Sequence, residues 1–208
     1  MLDSRKNSVF KFLEVKDKEM LDKAFAFRYD VFKDTEILKE YFYANNFEDG
    51  KEQDEYDSYS IHFLALDTNG EVSANVRLIY NSPIGYPTEN NMKFDNSMFD
   101  RDKLGELSRI FVNTKYRDIR TTKFLIEGLN KLIYIKLREL NLQYTYGALE
   151  ASFLRLLNMY KMPYELIGEK QLDGKLGLRY PCILYTEKFS SENPRLVELW
   201  ERYLSENN

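Results

Sequence analysis

From Ser8 to Val15 apolar and polar residues alternate, with Val9, Phe10, Phe12, Leu13 and Val15 apolar, the two-residue period of a strand. Between Asp17 and Phe32 the spacing changes. Met20, Leu21, Ala24, Phe25, Phe27, Tyr29, Val31 and Phe32 fall at helical intervals, and Asp17 stands at the N-cap position. Thr35–Tyr59 is acidic, aromatic and without a clear period, which predicts a long loop holding a helical turn at most. The clearest local signal follows: Tyr59–Asp67 and Glu71–Tyr80 flank Thr68-Asn69-Gly70 and predict a hairpin. Prolines, asparagines and glycine predict a loop over Asn81–Leu104. Beyond it the pattern gives a strand at Glu106–Asn113, a basic helix at Arg120–Leu140, a strand at Leu142–Ala148 and a short amphipathic helix at Glu150–Tyr160. Tyr164–Ile167 and Leu178–Lys188 read as late strands. Pro194–Leu204 reads as a terminal helix that docks through Leu196, Val197, Leu199, Trp200 and Tyr203.

Helices interleaved with a hairpin-containing sheet predict an α/β (α+β) fold, a mixed central sheet flanked by helices on both faces. No repeat or linker divides the chain. Residues 1–188 are therefore assigned to one domain with a mobile N-terminal helix–loop region, and residues 189–208 to a C-terminal helix packed on it. With 43% hydrophobic and 15% aromatic residues among 208, the chain can bury a core. No apolar run reaches the roughly 20 residues of a membrane span, and MLDSRKNSVF lacks the apolar stretch of a signal peptide, so a cytoplasmic location is expected. One cysteine, Cys182, excludes an internal disulfide framework, and one histidine, His62, argues against a zinc site. A net charge of -4 and the lack of a recognition motif argue against nucleic acid as a partner.

Four segments are distinctive together. Arg28-Tyr29-Asp30-Val31-Phe32 resembles the Arg-x-x-Val-Phe signature of the acyl-homoserine-lactone autoinducer synthases, and Asp54-Glu55-Tyr56-Asp57 resembles their Asp-x-Tyr-Asp element. Arg77-Leu78 resembles their Arg-Leu-Leu strand, and Glu106-Leu107-Ser108-Arg109-Ile110-Phe111-Val112 their Glu-Ser-Ser-Arg-Phe-x-Val strand. The order is the same and the likeness runs from about Ala24 to Thr186. The resemblance extends to long-chain N-acyl amino acid synthases and to the fold of the GCN5-related N-acetyltransferases (GNAT). It implies a mostly antiparallel sheet, split near the fourth and fifth strands. It also implies transfer of a fatty acyl group from a phosphopantetheine thioester, on acyl carrier protein or coenzyme A, to an amine. Two departures bear on the acceptor: Phe32-Lys33-Asp34-Thr35-Glu36 lacks the synthases' Gly-Trp, and Tyr80-Asn81 replaces their Pro-Thr.

Aminolysis of a thioester needs a neutral amine, and an α-amino group with a pKa of roughly 8 is helped by a carboxylate or water-linked base. The resemblance points to Glu106 as that base and to Arg109 as its catalytic companion. A structural ion pair is the competing reading, although residues three apart on a regular strand face opposite ways unless a bulge intervenes. Arg28, Phe32, Asp54, Asp57, Arg77, Phe111 and Val112 are the implied substrate-binding residues. Their charged members either position an amino acid's ammonium and carboxylate or latch the Thr35–Tyr59 segment. Phe111, Leu125, Ile126, Leu129, Tyr144, Tyr146, Leu149, Phe153, Leu156 and Leu157 line the region for an acyl tail or simply form core. Tyr160, His62 and Cys182 are read as packing residues.

Coenzyme A enzymes of this fold carry a glycine-rich loop whose amides cradle pyrophosphate. Here the stretch is Arg117-Asp118-Ile119-Arg120-Thr121-Thr122, without glycine. Arg117, Arg120, Thr121 and Lys123 are assigned to the carrier protein or its phosphopantetheine. Lys115, Lys131, Lys136 and Arg138 extend a basic region that either steers an acidic carrier protein or is an ordinary solvated face. The leading expectation is an N-acyltransferase that acylates an amino acid or related small amine, with no permanently bound cofactor, the acyl thioester as co-substrate and transient membrane contact through the lipid product. The alternatives are an autoinducer synthase using S-adenosylmethionine and a non-catalytic acyl or carrier-protein binding module.

Overall fold

The computed structural model describes residues 9–45, 47–173 and 176–207. The Ser8 end of the first expected strand lies outside them. The strands form an eight-stranded sheet in the order β1-β2-β3-β4-β5-β8-β6, with β7 paired to β8. Antiparallel pairs dominate (β1 with β2, and β5, β6 and β7 with β8), while β4 and β5 run parallel. The chain divides into two compact units, Met1–Arg77 with Arg109–Leu132 and Leu78–Ser108 with Ile133–Asn208.

In the first unit, β1 (Lys11–Glu14) pairs with β2 (Ser60–Leu66). Helix α1 (Lys18–Asp34) starts where the sequence places it, because the Asp17 side chain accepts the Met20 N–H at 2.9 Å. Its buried face carries Ala24, Phe25, Phe27, Arg28, Val31 and Phe32. The segment expected as loop is instead a chain of short helical pieces: a 3-10 turn at Glu36–Leu38, α2 (Lys39–Asn45), and 3-10 turns at Glu48–Gly50 and Glu55–Tyr59. Each is too short to show a helical hydrophobic period. The hairpin between β2 and β3 (Val72–Tyr80) closes where expected. Asp67 O accepts the Gly70 N–H at 3.0 Å, Asp67 Oδ1 accepts the Asn69 and Glu71 N–H groups, and Gly70 supplies a φ of +79°. The last residues of β4 (Leu104–Val112) and the first turns of α4 (Ile119–Glu139) complete this unit.

In the second unit, the β4–β5 ladder joins Leu104–Glu106 to Tyr144–Tyr146 and ends there, although β5 continues as Tyr144–Leu149. That is the expected divergence of the fourth and fifth strands. The proline- and asparagine-rich segment holds α3 (Pro87–Asn91) and a 3-10 turn at Arg101–Lys103. Helix α5 (Ala151–Met159) is followed by two-residue strands β6 (Glu165–Leu166) and β7 (Gln171–Leu172), the second too short to be read from sequence. Strand β8 (Leu178–Tyr185) stops earlier than expected, and α6 (Thr186–Glu192) takes over with buried Thr186 and Phe189. The terminal helix α7 (Pro194–Asn207) buries Leu196, and Arg138 lies over its Trp200 ring. Tyr146, Leu149 and Leu157 are buried, as Leu125, Ile126 and Leu129 are in the first unit. No described helix is long and apolar enough to cross a membrane.

Within the first unit, α4 packs against Phe12 of β1 at Gly128. A Cβ there would stand 2.2 Å from Cζ of Phe12, whose ring contacts Phe124 at 5.9 Å between centroids. Gly128→Ala is expected to cost about 2 kcal/mol through overpacking, and Phe12→Leu in the same chain to restore much of it. Urea denaturation of the two variants checks this; an unchanged midpoint for Gly128→Ala would refute the tight approach.

Candidate active site

Six charged side chains gather in the first unit. Arg28, from the buried face of α1, grips Asp57 with two parallel hydrogen bonds, Nη1 to Oδ1 at 2.7 Å and Nη2 to Oδ2 at 2.9 Å, and donates through Nε to Glu52. Arg77, on β3, donates from Nη1 to Asp54 Oδ1 at 2.5 Å and to Asp57 Oδ1 at 2.8 Å. Arg109, on β4, donates from Nη2 to Glu52 Oε1 at 2.8 Å, to Asp54 Oδ2 at 2.9 Å and to the Tyr41 hydroxyl at 3.2 Å. Its guanidinium lies 5.1 Å from the Phe32 ring centroid and 5.7 Å from that of Tyr41. Phe32 in turn meets Phe111 edge-on at 5.4 Å.

Local chemistry explains why the chain turns at this place. Asp54 caps the 3-10 turn at Glu55–Tyr59, accepting the Tyr56 N–H at 3.0 Å, while Asp57 reaches back to the Asp54 N–H at 2.8 Å. The two carboxylates thus fold their own segment and present their other oxygens to arginines. Burial by itself favours the neutral forms, but the opposite charges outweigh it. Glu52, Asp54 and Asp57 titrate below the usual carboxylate range, and Arg28 and Arg109 above the usual arginine range. Arg28, Glu52 and Arg77 have no exposed side-chain surface, whereas Asp54 keeps 18% and Arg109 9%. Asp54 is therefore the member nearest to solvent, with Arg109 and Asp57 behind it at 9% and 8%.

Arg109 has a φ of +52°, a left-handed conformation that costs a side-chain-bearing residue about 1–3 kcal/mol. The strand's alternation breaks there, as the bulge expectation allowed. Glu52 is absent from the sequence reading, although it bonds to both Arg28 and Arg109. A single acid in an acidic stretch gives no sign of partners 24 and 57 residues away.

Glu106 belongs to the second unit, at the last rung of the β4–β5 ladder opposite Tyr146. It is buried, at 2% exposure, and its Oε2 accepts the Thr88 N–H from α3 at 2.9 Å. Tyr86 donates its hydroxyl to Leu104 O at 2.6 Å, and its ring meets Tyr146 edge-on at 6.1 Å. Cys182 is fully buried, and burial pushes its thiol up to about 12.

At the start of α4, Asp118 Oδ1 accepts the N–H groups of Arg120 and Thr121 at 3.1 and 3.0 Å. The helix terminus that an anion would use is occupied by a carboxylate of the same chain. Arg117 donates from Nε to Val112 O at 3.0 Å, and Arg120 and Lys123 are exposed, Lys123 beside Glu127 at 3.7 Å. Lys136 pairs with Glu139 and Arg138 contacts Tyr134 and Trp200 within the second unit, so the basic group of the first unit is Lys115, Arg117, Arg120, Lys123 and Lys131.

Residues 27–127 match the family model of the acetyltransferase (GNAT) domain. Among solved structures, TofI in a ternary complex with an inhibitor and MTA superposes with a TM-score of 0.68 at 16% identity, over 89% of this chain and 99% of that one. BjaI, a CoA-dependent acyl-homoserine lactone synthase solved with SAM and isopentyl-CoA, gives 0.63 at 15% identity over 90% and 89%. FeeM, an N-acyl amino acid synthase from uncultured soil microbes, gives 0.58 at 12% identity over 88% and 93%. The fold is that of the acyl-homoserine lactone synthases. No curated protein matches the chain by sequence. On this synthase fold the four sequence elements fall on α1, the Glu55–Tyr59 turn with its cap, β3 and β4.

His62 is a buried neighbour of the charge network. Its ring meets Phe25 edge-on, its Nε2 lies 3.6 Å from Asp57 Oδ1, and burial, only partly opposed by Asp57, lowers its pKa to about 4. Below pH 6.5 the unfolded chain takes up a proton that the folded chain refuses until near pH 4. Stability therefore falls as pH drops across that window, by up to about 3 kcal/mol. The depressed carboxylates Glu52, Asp54 and Asp57 add a further loss below about pH 4, as they are protonated. Urea midpoints between pH 7 and 4 are expected to fall for the native chain and to flatten for His62→Gln; parallel curves would refute the assignment.

Proposed function

We propose that the protein is an N-acyltransferase that moves a fatty acyl group from a phosphopantetheine thioester to the amine of an amino acid or related small molecule. The observation that carries this reading is Glu106, a buried carboxylate on the synthase fold at the point where the β4–β5 ladder ends. In the reaction the acceptor nitrogen attacks the thioester carbon, the new C–N bond forms, and the C–S bond breaks. Glu106 accepts the proton lost by the amine, and that proton is passed on to the leaving thiolate, which departs as a thiol. Direct attack is favoured because Cys182, buried with a raised pKa, offers no thiolate near neutral pH. In this reading Arg109 and Asp54 of the first unit are the side chains that meet the charged groups of an amine acceptor.

Asp118 supports a protein-bound donor over free coenzyme A. Its carboxylate already holds the α4 amides that a pyrophosphate would use, and its charge repels one. The exposed Lys115, Arg117, Arg120, Lys123 and Lys131 suit an acidic carrier protein. The SAM held by BjaI and the MTA held by TofI favour S-adenosylmethionine as the second acceptor to try, although Gly-Trp is missing after Phe32.

Glu106→Ala is expected to lower turnover by at least about tenfold while the protein stays folded. Free-thiol release from acyl carrier thioesters with amino acids or S-adenosylmethionine measures this, and methylthioadenosine appears only with the latter. Full activity in Glu106→Ala would remove the proposed base. Charge reversal at Lys123 and Lys131 is expected to raise the KM for acyl carrier protein by about tenfold, and less at high salt. A preference for acyl-coenzyme A over the carrier thioester would overturn the donor assignment.

A further inference from the structure

We propose that Asn75 is a positioning residue: by bonding to the Arg109 carbonyl it holds β4 in its left-handed turn and so aims the Arg109 guanidinium. The inference rests on the reading above that Arg109 works at the acceptor site. Along β3, Ser73, Asn75 and Arg77 share one face and are fully buried, while Val72, Ala74 and Val76 occupy the other. Arg77 is accounted for by its carboxylates. Asn75 carries no charge, and its Nδ2 donates to Arg109 O at 2.9 Å.

A left-handed residue inside a strand turns its carbonyl away from the regular ladder direction, and a buried carbonyl without a donor is costly. Asn75 provides that donor from a side chain. Just beyond the end of β4, the Asn113 N–H reaches Ser73 O at 2.8 Å. Arg109 is thus fixed at both ends, by Asn75 at the main chain and by Glu52, Asp54 and Tyr41 at the guanidinium.

A second observation separates positioning from plain stability. Asn75 Oδ1 is buried and has no hydrogen-bond partner among the described residues. A buried acceptor left in that state is unfavourable, and an apolar residue of similar shape would remove the cost. Stability alone therefore gives little reason for asparagine here, whereas the bond to a displaced carbonyl does.

The test uses the full chain with Asn75→Leu, which keeps the branched outline and deletes the donor, and Asn75→Ser as a smaller polar variant. Asn75→Leu is expected to keep its thermal midpoint within about 4 °C, to speed hydrogen exchange over residues 109–112 by about tenfold or more, and to lower kcat about tenfold with little change in the KM for the thioester. Asn75→Ser is expected to fall between it and the native chain. Unchanged exchange over 109–112 in both variants, or a loss confined to the thermal midpoint, would overturn the proposal. Should Asn75→Leu fail to fold, Asn75→Ser carries the same readouts. A native chain with no acyl transfer would refute the reading of Arg109 as a working residue, while the exchange measurement would still decide whether Asn75 holds the turn.

Discussion

Three arginines and three carboxylates, most of them withdrawn from water, constrain the first unit more than any other feature. A buried charge is tolerated only when an opposite charge and well-placed hydrogen bonds replace its hydration. Arg28 comes from α1, Glu52, Asp54 and Asp57 from the segment before β2, Arg77 from β3 and Arg109 from β4. Glu52 has no exposed side-chain surface and is shared between two guanidinium groups. Removing one member of such a set leaves the others buried and uncompensated, a cost of about 3–5 kcal/mol. The sequence left two uses open for these residues, substrate binding and latching the segment before β2. The geometry shows the latch directly: Asp54 and Asp57 hold their own turn and the arginines at once.

A network balanced three against three limits what remains for chemistry. Arg28 and Arg77 hydrogen-bond to carboxylates and have no exposed side-chain surface. Asp54 and Arg109 differ because each retains some contact with solvent. The aromatic rings of Phe32 and Tyr41 beside Arg109 lower the local polarity and so strengthen its field on whatever lies beyond. In the second unit the carboxylate of Glu106 is held by a main-chain N–H of α3, an interaction that fixes its orientation.

What the sequence showed depended on how local the determining interaction was. The hairpin was legible because Asp67, Asn69 and Gly70 make their turn among themselves, and the start of α1 because Asp17 and Met20 are three residues apart. Short elements without a period escaped, among them α2, β7 and α6. Five residues of the charge network were identifiable by resemblance, but Glu52 was not. Glu52 stands in an acidic run that looks like solvated surface, and only long-range pairing shows it to be buried. The left-handed φ of Arg109 was equally hidden, since nothing in Leu-Ser-Arg-Ile marks a break in a strand. Face-counting along β4 therefore fails at that residue.

The start of α4 illustrates how a missing motif differs from a replaced one. The absent glycines say only that this loop is not the usual phosphate cradle. The structure adds that Asp118 fills the same role for the helix from within the chain, satisfying two amides that would otherwise seek an anion. Arg117 is tied to a backbone carbonyl, whereas Arg120 projects into solvent from the same turn. The positive charge there is therefore carried on flexible side chains, outside a preformed backbone pocket. Such an arrangement attracts opposite charge at long range, which needs net charge nearby but no fixed cradle.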